Sequence, residues 1–330
     1  MIDRSMPLCE LHRHLDGAVR LQTIIELAEE HGITLPSSDP DALAPYVYID
    51  DREPTLLAFL EKFRYMVEVL VDYDACHRVA YENMQDARAE GLDYVELRFS
   101  PWFMAERHGL EPEAVMEACI DGIRAGERDT GVAAGIIGIL SRTYGVENCA
   151  RELDAILAHR DEVVAVDLAG DEAGYPAALF KDHFRRVRDA GLHVTIHAGE
   201  ADGPHSIWSA IHDLGAERIG HGIRAIEDPK LVEYLAASGI GLEICPTSNL
   251  HTTTVESYEA HPARALAEAG VQFCLNTDDP GISHITIEHE YAVAAPAMGL
   301  NAAQISDAQR NSLHLAFLSE TSKAEIKNRN

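Results

Sequence analysis

Apolar residues along the chain gather in eight short, nearly continuous runs. Most are followed by a longer stretch in which apolar positions recur every three or four residues. The runs are LCELHRH at 8–14, DYVELRFS at 93–100, VAAGIIGIL at 132–140, VVAVDLAG at 163–170, HVTIHAGE at 193–200, ERIGHG at 217–222, GIGLEICPTS at 239–248 and VQFCLNTDD at 271–279. Unbroken apolar runs of this length suit strands buried on both faces. The stretches between them, such as PEAVMEACIDGIRAGERDTG and AALFKDHFRRVRDAG, end in a glycine where a helix stop belongs. Eight strands alternating with helices predict an α/β fold, a (β/α)8 TIM-type barrel occupying residues 1–330 as one domain. The excess length lies at about 15–92, between the first and second strands. At least three helical segments there, among them TLLAFLEKFRYMVEVLV, predict a helical insertion. An open doubly wound sheet would give the same alternation.

The polar residues separate the two folds. His12 and His14 come late in the first strand, Gly170 and Asp171 in the fourth, and His197 with Glu200 in the fifth. His221 ends the sixth, Ser248 follows the seventh, and Asp278 with Asp279 ends the eighth. An open sheet would spread these along an edge, whereas a barrel collects them at its C-terminal rim, where barrel sites form. His12 and His14 are two positions apart, so a strand sends both to one side. Three imidazoles and a carboxylate at one point favour zinc, with iron, cobalt or nickel as alternatives. Each piece alone has a plainer explanation: a hydrogen-bonded pair of strand-end histidines, or an aspartate capping the next helix. Their joint occurrence at four strand ends favours a metal.

Composition narrows the partners. The chain has 27 basic and 55 acidic residues, a formal net charge of −28. Such a surface repels phosphate backbones and anionic lipid, which argues against nucleic acid and membrane partners. Six scattered cysteines with no C-x-x-C pair read as reduced packing residues. No signal peptide or membrane span is evident, so a soluble, cytoplasmic protein is expected. Oligomeric state is left open.

In order, HRHLDG, DLAGDE, HAGE, RIGHG, CPTSN and NTDDPG resemble the motifs of adenosine deaminases in the metal-dependent amidohydrolase superfamily, from about Pro7 to about Ser319. The resemblance implies one Zn2+ ion held by His12, His14, His197 and Asp278. It implies that His221 orients or deprotonates the attacking water and that Glu200 donates a proton to purine N1. Asp279 would meet N7, the Gly170 N–H would meet N3, Asp16 would hold a ribose hydroxyl, and His14 would also border the substrate. Leu56, Phe59, Leu60 and Phe63, at i, i+3, i+4, i+7 spacing, would form an apolar lid, although core packing explains such a stripe as well.

The implied reaction is hydrolytic deamination of adenosine and 2′-deoxyadenosine, in purine salvage. Asp16 and Gly220 favour a nucleoside over free adenine, because adenine deaminases of the superfamily tend to show HIEG and RIDHG at these places. Three alternatives stay open: deamination of another 6-aminopurine compound (aminodeoxyfutalosine or adenine), a different barrel metal hydrolase, and a catalytically silent nucleoside-binding protein. Enzymes resembling phosphotriesterases usually carry a lysine late in the fourth strand, and this chain has none there.

Overall fold

The computed structural model describes residues 1–49 and 62–328. Eight strands form one sheet in sequential order: β1 Cys9–His14, β2 Tyr94–Phe99, β3 Ala133–Ser141, β4 Ala165–Ala169, β5 His193–Ala198, β6 Arg218–His221, β7 Gly241–Ile244 and β8 Phe273–Leu275. Every adjacent pair is parallel. The ring closes through a parallel bridge between Arg13 and Asp278. There the His14 N–H donates to the Asp278 carbonyl (2.7 Å) and the Asp278 N–H to the His12 carbonyl (3.0 Å). This is the predicted barrel, with strand positions as expected to within a few residues.

Strand alternation divides the side chains between two environments. Val95, Leu97 and Phe99, Val166 and Leu168, and Val194 and Ile196 belong to the main apolar core together with residues of the surrounding helices. The alternate positions hold charge. Arg98 pairs with Asp167 (2.8 Å) and Glu243 (2.7 Å), while Arg218 pairs with Glu243 (2.6 Å) and Glu96, all four links fully buried. Buried charges persist only when partnered in this way. Below them lies a small apolar cluster of Cys9, Leu11, Tyr94, Cys274 and Leu315. The Arg218 guanidinium donates to the Leu315 carbonyl and stacks on Phe317 (3.8 Å), so the segment after the helix Ala302–Leu315 closes that end. In β1 the register shifts between Glu10 and Arg13, which pair with each other. That shift lets Cys9 and Leu11 join the lower cluster while His12 and His14 face the site.

Between β1 and β2 come the helices Leu21–His31, Pro40–Val47, Arg64–Glu68 and Tyr73–Glu90, in keeping with the helical insertion. Of the four apolar positions expected on a lid, Leu56, Phe59 and Leu60 lie outside the described residues. Phe63 is described and lines the main cavity. All six cysteines are buried and free. Among the described residues, no helix is long and apolar enough to cross a membrane.

Candidate metal centre

A cavity of about 770 Å³ opens at the C-terminal rim, with His14, Gly170, His197, Glu200, His221, Asp278 and Asp279 in its wall. Beside it, ligand atoms of His12, His197, His221 and Asp278 all lie within 4.8 Å of one another, and all four residues are buried. His14 sits at the edge of this group. Its Nε2 is 3.2 Å from Asp278 Oδ1 and 3.3 Å from His197 Nε2. The tightest foursome thus contains His221, with His14 converging from the more open side.

The ring nitrogens facing away from the centre each lie beside a carboxylate, hydrogen-bonded in the case of His12. His12 Nδ1 is 2.7 Å from Glu243 Oε2, and His197 Nδ1 is 2.9 Å from Asp167 Oδ2. Carboxylates in those positions fix the tautomer and leave each Nε2 lone pair free to bind. His12 Nε2 is fully buried with no hydrogen-bond partner, although Asp278 Oδ1 lies 3.0 Å away. An orphaned imidazole nitrogen beside a carboxylate fits a divalent cation. Burial and the nearby Arg98 charge lower the pKa of His12, and burial takes His197 down to about 3, so both stay in the neutral, ligating form. Burial works to raise Asp278, but His12 and His14 outweigh it and hold the carboxyl well below its usual range. Ser248, late in the seventh run, donates its hydroxyl to Asp278 Oδ2 (2.6 Å).

Backbone geometry at two of these residues is unusual. His221 and Asp278 have φ of 59° and 65°, in the left-handed region that non-glycine residues seldom occupy. Such outliers gather at functional sites. Asp279 begins the helix Pro280–Ser283, yet its side chain makes no capping hydrogen bond. The plain explanation of TDD as a helix cap therefore fails for it. Burial, reinforced by the Asp278 charge, raises Asp279 well above the carboxylate range, and its Oδ1 has no partner.

Glu200 lies on the same wall, its Oε2 3.6 Å from His221 Nε2, and burial raises its pKa. Asp16 is buried below His14 (3.6 Å from Nδ1) and accepts from the Ser100 N–H (3.2 Å). Gly170 has φ 105°, and a Cβ there would lie 2.5 Å from Thr143 Oγ1, so only glycine fits.

Further residues support the site from behind. His221 is held by a chain whose directions follow from one backbone donor. The Ala263 N–H donates to His261 Nδ1 (3.1 Å), so that ring carries its proton on Nε2 and donates to Asn249 Oδ1 (3.2 Å). Asn249 Nδ2 is then left to donate to His221 Nδ1 (3.0 Å), which puts the proton of neutral His221 on Nε2, facing Glu200. Asp167 and Glu243 carried a signal in the sequence, as lone charges inside apolar strands. Asn249 lay in the CPTSN motif without a role, and nothing local marked His261.

A closed parallel barrel with imidazoles and a carboxylate gathered on its C-terminal rim has the architecture of a metal-dependent barrel hydrolase. The family model described as "Adenosine deaminase" matches residues 7–329. The chain belongs to the adenosine deaminase family. It is 57% identical over 326 residues to an adenosine deaminase of Shewanella denitrificans, covering 99% of this chain and 98% of that one. It is 56% identical over the same length to an adenosine deaminase of Vibrio cholerae. Among solved structures, an adenine deaminase from Arthrobacter aurescens superposes with a TM-score of 0.88 at 27% identity, covering 98% and 97% of the two chains. An amidohydrolase from Burkhoderia ambifaria with bound Zn also gives 0.88, at 26% identity, covering 98% and 89%.

Proposed function

We propose that this deaminase removes the 6-amino group of adenosine and 2′-deoxyadenosine with water, releasing ammonia and the inosine nucleosides, and that it works with one zinc ion. His12, His14, His197 and Asp278 would hold the ion. When bound, zinc lowers the pKa of a bound water to ~7 and so supplies hydroxide at neutral pH. The observation that supports this best is the buried, unbonded Nε2 of His12 amid two further imidazoles and an ionised carboxylate, brought together from both ends of the chain.

The other side chains divide the remaining work. Attack at C6 pushes electron density onto N1, which must be neutralised. Glu200, raised by burial, keeps a proton available for N1. Asp279, neutral for the same reason and because of Asp278, donates to N7. The two adjacent aspartates thus take opposite protonation states. His221, with Nε2–H directed at the site, orients the attacking water as a donor. Gly170 lets the backbone come close to N3, and Asp16 receives a ribose hydroxyl. Phe63 covers part of the opening.

The test is a metal-stripped preparation, re-supplied with zinc and offered adenosine, 2′-deoxyadenosine, adenine and aminodeoxyfutalosine side by side. Zinc-dependent turnover of the two adenine nucleosides is expected. Preference for adenine or aminodeoxyfutalosine would overturn the substrate assignment, and full activity of metal-free protein would overturn the ion. Glu200→Gln should keep bound metal and lose at least ~100-fold in kcat.

A further inference from the structure

The motif DLAGDE ends in a residue with no role in the reaction as described. Glu172 follows β4, is only 4% exposed, and reaches across to the turn after β5. Its carboxylate accepts four consecutive backbone N–H groups: Gly199 on Oε1 (2.6 Å), and Glu200 (3.2 Å), Ala201 (2.8 Å) and Asp202 (2.9 Å) on Oε2. Successive amides that turn towards one point form an anion-binding nest. Here the anion is a side chain of the protein itself. The conformation is demanding: Gly199 has φ 70°, and a Cβ there would lie 2.3 Å from Ile207 Cδ1. The second amide in the nest belongs to Glu200, and the turn starts two residues after His197.

We infer that Glu172 is a positioning residue for the deamination, a clamp that fixes the backbone from which Glu200 presents its carboxyl to the substrate. Three features support this over simple turn stability. The clamp is charged, buried and multiply bonded, so it holds direction as well as distance. It comes from the turn after the neighbouring strand β4, so the position of Glu200 is tied to a second barrel element and not set by its own loop alone. Beyond the clamp, and among the described residues, the Glu200 carboxyl has two long polar contacts, Thr252 Oγ1 at 3.4 Å and His221 Nε2 at 3.6 Å. Its placement therefore depends mainly on its backbone. A donor displaced by about 1 Å loses on the order of 100-fold in rate.

The inference rests on the proton-donor reading of Glu200, and a double-mutant cycle separates the two. Glu172→Gln keeps the shape but replaces one acceptor oxygen with an NH2 group facing N–H donors. The expected result is a kcat lower by about 10- to 100-fold, KM changed by less than about threefold, and zinc content unchanged. In Glu172→Gln/Glu200→Gln, kcat should equal that of Glu200→Gln alone, because a residue acting through Glu200 has nothing left to act on. A lower melting temperature with wild-type kcat in Glu172→Gln would overturn the inference. So would a Glu172→Gln loss that persists undiminished in the Glu200→Gln background. A wild-type rate for Glu200→Gln would remove the donor reading and, with it, the role of the clamp. Should Glu172→Gln fail to fold, hydrogen exchange on the wild-type enzyme decides. Slow exchange at the amides of 199–202 is expected, and free exchange at all four overturns the clamp.

Discussion

Gly17 has no room for a side chain: a Cβ there would lie 1.7 Å from Asp279 Oδ1. Gly17→Ala must therefore push Asp279 out of place while leaving the metal group intact. We expect zinc content to be retained and kcat/KM to fall by ~100-fold or more, measured by metal analysis and steady-state kinetics on the same preparation. A second residue-scale expectation concerns pH. Burial raises Glu290 to about 8, and its Oε2 has no partner. A folded-state pKa above the unfolded one gives stability that is present at low pH and is lost as pH rises through the folded value. Glu290 should thus contribute a decline in melting temperature between about pH 5 and 8, opposed below about pH 6.5 by His197 and His261, which burial takes down to about 3. Glu290→Gln should flatten that decline, while Glu152, raised by burial to about 7, keeps part of it. An identical slope in the variant would refute the assignment. Site residues were legible in the sequence where chemistry, strand position and a motif coincided, as for His12, His197 and Asp278. Glu172 and His261 were not, because each acts on a segment distant in the chain, and only the folded ring brings clamp to turn or ring to Asn249.

At the scale of elements, the helices Tyr73–Glu90 and Pro112–Thr130 pack closely because two glycines lie between them. A Cβ on Gly122 would come 2.4 Å from the His77 carbonyl oxygen, and one on Gly126 2.3 Å from Met84 Cβ. Gly122→Ala gains roughly 1 kcal/mol in helix propensity but forces the helices apart, at about 1–3 kcal/mol. A melting temperature lower by a few degrees with unchanged kcat/KM is expected by calorimetry and assay. In sequence these glycines look like weak points of an amphipathic helix; in the fold they allow its closest contact. The eight strands were readable because a barrel buries both faces of its sheet, which makes each run apolar. Their alternate charges, Glu96, Arg98, Arg218 and Glu243, are not legible as a network, because the partners that neutralise them come from strands up to 145 positions apart. The lid stripe shows the limit of periodicity: i, i+3, i+4 spacing predicts a helical face without saying what that face covers.

For the whole molecule, the charge of −28 sets an electrostatic self-repulsion that dissolved ions can screen. Screening length shrinks from about 30 Å at 0.01 M salt to about 10 Å at 0.1 M. The melting temperature should therefore climb across that range of potassium chloride, and a flat or falling curve would show that repulsion is not limiting. The deepest consequence of the architecture comes from how the ring is fastened. Its clasp is made by the backbones of His12, His14 and Asp278, the same residues whose side chains converge on the cation position. The first half of the clasp belongs to β1 and the second follows β8, so during synthesis the two cannot meet until all eight strands have been made. A growing or truncated chain can offer imidazoles, but not the arrangement that selects an ion. With the ion proposed above, loading and ring closure become one event.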